Sequence, residues 1–110
     1  MITINNDPTP HRLPADEVNA IFQRLRQLKA RCHRDRVSKV DRTVTLIDAC
    51  ILEGFDYRSR ILGALKTIGL NRQHVAHVLE TGTGPFPERH YWRQDVKGRY
   101  SKHPLQLPAL

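Results

Sequence analysis

Apolar positions along the 110-residue chain fall into four stretches with helical spacing, followed by one short aromatic stretch that breaks the rhythm. In the first, Val18, Ile21, Phe22, Leu25 and Leu28 recur at steps of three and four, so they share one side of a helix. Pro14 suits a first helical position, where its missing N–H costs nothing, and Asp16 and Glu17 favour the positive end of the dipole. The pattern predicts a helix over about 14–34, with Arg24, Lys29, Arg31 and Arg34 off the stripe. Residues 1–13, "MITINNDPTPHRL", show little periodicity and read as a flexible arm.

A second helix is expected over about 39–53. Ser38 followed by Asp41 resembles a capping box with a shortened acid, and Val40, Val44, Ile47 and Ile51 form its inward stripe, broadened by Leu46 and Cys50. Gly54 offers a left-handed stop. The β-branched residues leave a buried strand over 43–47 as the alternative. Asp56 is placed to cap a third helix, about 57–68, that buries Ile61, Leu62, Leu65 and Ile68. Gly69 ends it, Asn71 caps a fourth helix over about 72–81 buried through Val75, Val78 and Leu79, and Gly82 closes that one.

Beyond the irregular "GTGPFP" the pattern changes to "RHYWRQDVKGRYSKH". Asp95 opening and Gly98 closing a tight turn predict a hairpin over about 89–103, with strands near 89–94 and 99–103. Residues 104–110, "PLQLPAL", read as an extended tail. The expected fold is therefore mainly α with a small C-terminal β-hairpin, a single domain over 14–103.

Charge sharpens this picture. The net charge is +7, and the surplus sits at 15–37 and 86–110 while 38–54 is slightly negative. Two basic ends around a neutral middle favour an anionic partner such as nucleic acid. Cys32 and Cys50 are far apart and fall on helical stretches, so buried free thiols are expected. The expectation is a reducing, cytoplasmic setting (at the nucleoid in a bacterium), with no secretory signal, membrane span or membrane partner.

The stretch from Leu65 to Gly82, "LKTIGLNRQHVAHVLETG", carries the sharpest signal. Ala64 is small where two helix backbones would approach, Gly69 permits a turn, and Val75 and Val78 are apolar where a second helix must dock. This spacing resembles the helix-turn-helix signature. Three helices followed by a basic hairpin resemble, over residues 39–103, the winged helix-turn-helix DNA-binding domain, here with an extra N-terminal helix. The resemblance implies that the fourth helix enters a DNA groove and that the hairpin is the wing. One departure stands out. Many winged domains carry a further strand between their first two helices, and residues 54–57 leave room for a bridge at most.

Burying Val75, Val78 and Leu79 turns Gln73, Ala76, His77 and Glu80 outward, with Arg72 and His74 at the edges. Arg pairs with guanine and Gln with adenine through two bonds each. Arg72, Gln73, His74, Ala76 and His77 are thus the candidate base-reading set, and Glu80 lies by solvent or reads a cytosine. Arg58, Arg60, Arg93, Lys97, Arg99 and Lys102 are candidates for the phosphate backbone. Tyr91, Trp92 and Tyr100 have two readings, as anchors of the hairpin or as base-stacking groups. The first helix either completes the domain core or forms a homodimer through Val18, Ile21, Phe22, Leu25 and Leu28.

The expected function is sequence-specific double-stranded DNA binding by a small transcriptional regulator. The alternative is a non-enzymatic adaptor that docks another protein through the same fold. His74 and His77 share a helix side and His90 and His103 flank the hairpin, but no cysteine or carboxylate accompanies them, so no metal is expected. No nucleophile, paired carboxylates or phosphate-binding glycine loop is present, so neither an enzyme, a cofactor nor a small-molecule ligand is expected. RNA ranks below duplex DNA because no exposed aromatic sheet is predicted.

Overall fold

Residues 15–104 are described by the computed structural model; the arm at 1–13, Pro14 and the tail beyond Pro104 lie outside them. The element order is α1 (Ala15–Arg34), α2 (Lys39–Leu52), α3 (Arg58–Thr67), α4 (Arg72–Thr81), β1 (Trp92–Gln94) and β2 (Tyr100–Lys102). The two strands pair antiparallel, with Trp92 opposite Lys102 and Gln94 opposite Tyr100.

α2 is the central rod, in contact with α1, α3, α4 and β2. That explains why Leu46, Ile47 and Cys50 are wholly buried. No strand forms over 43–47. Thr43 and Thr45 donate their hydroxyls to the Lys39 and Asp41 carbonyls one turn back, at 2.9 and 2.8 Å, which satisfies β-branched polar residues inside a helix. The inward face is rotated from the expected stripe. Thr43 is buried whereas Val40 is 51% exposed, because the elements packed on α2 cover a face that includes Thr43 and leaves out Val40.

Two helices end as their glycines suggest. Gly54 and Gly69 take φ +97° and +98°, and the amides of Phe55 and Leu70 reach back to the Cys50 and Leu65 carbonyls at 2.8 and 2.9 Å. α1 closes by the same geometry without a glycine. Arg36 occupies φ 57° and the Val37 amide donates to the Cys32 carbonyl at 3.0 Å. Ser38 accepts from the Asp41 amide at 3.2 Å, as a cap should. The expected Asp56 cap does not form. Tyr57 is the N-cap of α3 and no side chain makes the capping bond, the Asp56 carboxylate being engaged by Arg99 at 2.6 Å.

The apolar stripe of α1 is used within the chain. Ile21 and Leu25 are buried in the core, and Phe22 packs on Phe55 with ring centroids 6.0 Å apart. Val18, Phe22 and Leu28 are half-buried. Core completion therefore accounts for Ile21, Phe22, Leu25 and Leu28, and Val18 lies half-buried outside that cluster. Arg24 holds Glu53 at 2.6 and 2.8 Å, and Lys29 donates to the Ile68 carbonyl at 2.7 Å. The Arg24 hydrogen bond keeps the Glu53 carboxyl below its usual range.

Candidate functional site

The corner between α3 and α4 is built by three small choices. Ala64 is buried where the helices cross, Gly69 reverses the chain, and Asn71 accepts the His74 amide at 2.9 Å to start α4. An Asn cap contributes about 1 kcal/mol. α4 then buries Val75, Val78 and Leu79 and leaves Arg72, Gln73 and His77 exposed. Among the described residues, Arg72 makes no ion pair.

Two of the five candidate base readers are placed differently from the rest. Ala76 is half-buried and packs on the core. His74 is half-buried, and its Nε2 is enclosed without a hydrogen-bond partner among the described residues. Burial first, then the positive charges of Lys39, His77 and Arg42, hold its imidazole below the ordinary histidine range. Lys39 and Arg42 belong to α2, so part of what acts on His74 comes from outside α4 and is not encoded by helical periodicity within it. Glu80 is exposed to solvent at the far end of α4. It pairs with Arg58 of α3 at 3.1 Å.

The hairpin is rooted by its aromatics. Trp92 is 0% exposed and donates Nε1–H to Asp48 of α2 at 2.6 Å, while Tyr100 is buried and its amide donates to the Asp56 carbonyl at 2.7 Å. Tyr91 does not share this role fully, being half-exposed beside the Trp92 ring. Gly82 carries the C-terminal end of α4 against the same tryptophan, and its carbonyl accepts the Tyr91 and Trp92 amides. The strands are shorter than expected because residues 86–90 form a turn, in which the Arg89 and His90 amides bond the Phe86 carbonyl. Outside the two strands, isolated bridges join Tyr57 to Arg99 antiparallel and Thr83 to Trp92 parallel.

The hairpin tip is set by Asp95, whose Oδ1 accepts the Lys97 and Arg99 amides at 2.8 and 2.9 Å, with Gly98 at φ +89°. Those amides, Arg99 foremost, keep the Asp95 carboxyl below its usual range. Val96 therefore stands fully exposed at the tip.

The six candidate backbone cations divide evenly. Arg60, Arg93 and Lys97 are exposed and make no ion pair among the described residues; Arg93 only touches the Ser101 hydroxyl at 3.3 Å. Arg58, Arg99 and Lys102 are paired with Glu80, Asp56 and Asp48. The Arg58 and Lys102 pairs are surface pairs, worth about 0–1 kcal/mol each, so a phosphate can compete for them. Arg99 differs. Its partner Asp56 is largely enclosed, and the pair ties the hairpin to the start of α3, so Arg99 is a structural tie before it is a ligand group.

The histidines flanking the hairpin shape the preceding loop. His90 accepts the Phe86 amide at Nδ1, and His103 Nε2 lies 2.7 Å from the Gly84 carbonyl. Cys32 and Cys50 are buried free thiols, and burial, then Glu53, pushes the Cys50 thiol up to about 12. No described helix is long and apolar enough to cross a membrane. Comparison with protein-family models, curated proteins and solved structures finds no match to this chain.

Proposed function

We propose that the chain binds double-stranded DNA with sequence preference, as a small regulator of winged helix-turn-helix type in which α4 reads bases and the hairpin is the wing. The observation that carries this reading is the open face of α4. Arg72 and Gln73 project from its first turn, beyond a sharp corner, with His77 one turn on, and no protein group among the described residues claims the Arg72 guanidinium. The first turn of such a helix goes deepest into a major groove, and Arg and Gln are the side chains best suited to base edges there. The Tyr57–Arg99 bridge stands where many winged domains have a full strand. Arg60, Arg93 and Lys97 are the cations left for phosphates, and the rooted hairpin holds Arg93 and Lys97 in fixed relation to α4.

Selection of bound duplexes from a random pool at moderate salt tests the proposal. A preferred sequence is expected. Gln73→Ala then relaxes preference at one position, by about 1–3 kcal/mol of discrimination. Lys97→Ala weakens binding alike on preferred and scrambled duplexes and makes the salt dependence shallower by about 0.9 in log–log slope. No duplex binding even at low salt would reject DNA in favour of the protein-adaptor reading.

A further inference from the structure

The outer face of the hairpin is the floor of a cavity that lies apart from the α3–α4 corner. Strand alternation sends Trp92 and Tyr100 into the core, so Arg93 and Ser101, opposite each other in the ladder, point away from it. His103 follows two residues on and shares that outer face. The loop after α4 folds back over it. The Gly84 amide donates to the Trp92 carbonyl at 2.9 Å, and the Gly84 carbonyl accepts from His103 Nε2 at 2.7 Å. A side chain on Gly84 would strike the His90 ring, so this close approach needs glycine there. Between loop and hairpin the cavity measures about 750 Å³, inside the range of about 300–1,000 Å³ usual for small-molecule sites. Pro85, Pro87 and Pro104 give it stiff apolar walls, and Arg93, Gln94 and His103 add a few polar groups.

We infer that this cavity takes a small organic monocarboxylate with an apolar ring or chain. Arg93 is the one lysine, arginine, aspartate or glutamate that lines it among the described residues, so a single negative charge matches the site. Arg93 makes no ion pair among those residues. Its Nε donates to the Ser101 hydroxyl at 3.3 Å, which steers the guanidinium and leaves both terminal nitrogens to grip a carboxylate in two parallel bonds. Gln94 gives its Nε2 to the Gly98 carbonyl at 3.1 Å and keeps its oxygen as an acceptor for a polar substituent. The prolines cover the apolar body of the acid. The site goes beyond the DNA-binding reading, and only one consequence rests on that reading. The acid and a DNA phosphate compete for Arg93, so the bound acid loosens the hold of the hairpin on DNA.

Nitrogen-15 NMR of the full chain, titrated with sodium phenylacetate and sodium hexanoate at constant sodium, tests the cavity. Saturable shifts are expected below about 10 mM, concentrated at the amides of Gly84, Arg93, Gln94 and His103. Phenylacetamide keeps the ring without the charge and should bind the unaltered chain about ten-fold or more weakly, a comparison that needs no variant. Arg93→Met should lose as much affinity for phenylacetate, and Arg93→Lys most of it, since an ammonium lacks the fork. Three outcomes overturn the cavity: neither acid gives localised, saturable shifts; the amide binds as tightly as the acid; or an Arg93→Met chain that melts like the parent binds phenylacetate unchanged. On a fluorescein-labelled duplex, saturating phenylacetate should weaken binding several-fold and make the log–log salt slope shallower by about 0.9, one phosphate contact. Unchanged duplex affinity with the acid bound overturns the competition. A chain that binds no duplex refutes the DNA-binding reading, and the NMR titration decides the cavity independently.

Discussion

Gly82 is the position where the packing between α4 and the hairpin can be tested most directly. It lies at φ −89°, ψ 0°, which alanine adopts without strain, so Gly82→Ala by itself should stabilise the fold by about 0.4–1 kcal/mol through the unfolded chain. The surroundings oppose this. A Cβ there would lie 2.6 Å from Trp92 Cζ3, 2.9 Å from the Val78 carbonyl oxygen and 3.0 Å from Tyr91 Cδ2. Comfortable carbon contacts are about 3.5–4.0 Å, so the indole must retreat by about 1 Å. Its Nε1–H is held to Asp48 at 2.6 Å and the ring is wholly buried, while the Val78 carbonyl belongs to the helix backbone. Overpacking of this kind costs about 1–3 kcal/mol, and the net expectation is a loss of about 1–2 kcal/mol. With a urea m-value of about 1–3 kcal/mol/M, the midpoint drops by about 0.3–2 M. Trp92 is the chain's one tryptophan, so its fluorescence reads the same contact, and its emission should shift to the red in the folded variant. Gly63→Ala supplies the contrast, since that glycine lies inside α3 with nothing within 4 Å of the added carbon; the midpoint should rise, by about 0.8–1 kcal/mol of stability. A Gly82→Ala protein as stable as its parent, with unshifted emission, would refute the close approach on which the placement of the hairpin depends.

Three further outcomes are expected. Arg36→Gly relieves a left-handed backbone at the end of α1 and should raise stability by about 1 kcal/mol, read from thermal melting. Asn71→Ala removes the cap of α4 and should cost about 1 kcal/mol in urea, with the proposed DNA binding weakened as the first turn of α4 frays. His74 has a folded value below the unfolded one of about 6.5, so the unfolded chain binds the proton more readily; stability should be complete above about pH 6.5 and fall as the pH drops toward the folded value. Acid therefore weakens the protein through His74. Urea midpoints across that window, with His74→Gln showing the shallower decline, check the sign.

Much of the architecture was legible because it depends on local rules. The stripes of α1, α3 and α4 follow from the 3.6-residue period, and the stops at Gly54 and Gly69 and the cap at Asn71 follow from backbone chemistry that acts over a few residues. The turn at Asp95–Gly98 is of the same kind. Misreadings arose where distant residues competed. Asp56 had the right place for a cap, but Arg99 lies 43 positions on and takes its carboxylate. Val40 fitted a stripe, but which side of α2 is covered depends on the four elements packed against it.

The order of helices and hairpin, the sharp corner and the exposed first turn of α4 are written into the amino-acid sequence, because periodicity, caps and left-handed glycines need no distant partner. Which cations remain free for an anion was decided by the tertiary structure alone. Asp48, Asp56 and Glu80 meet Lys102, Arg99 and Arg58 only after folding. A side chain's electrostatic environment is a sum over neighbours in space, and most of those neighbours are remote along the chain.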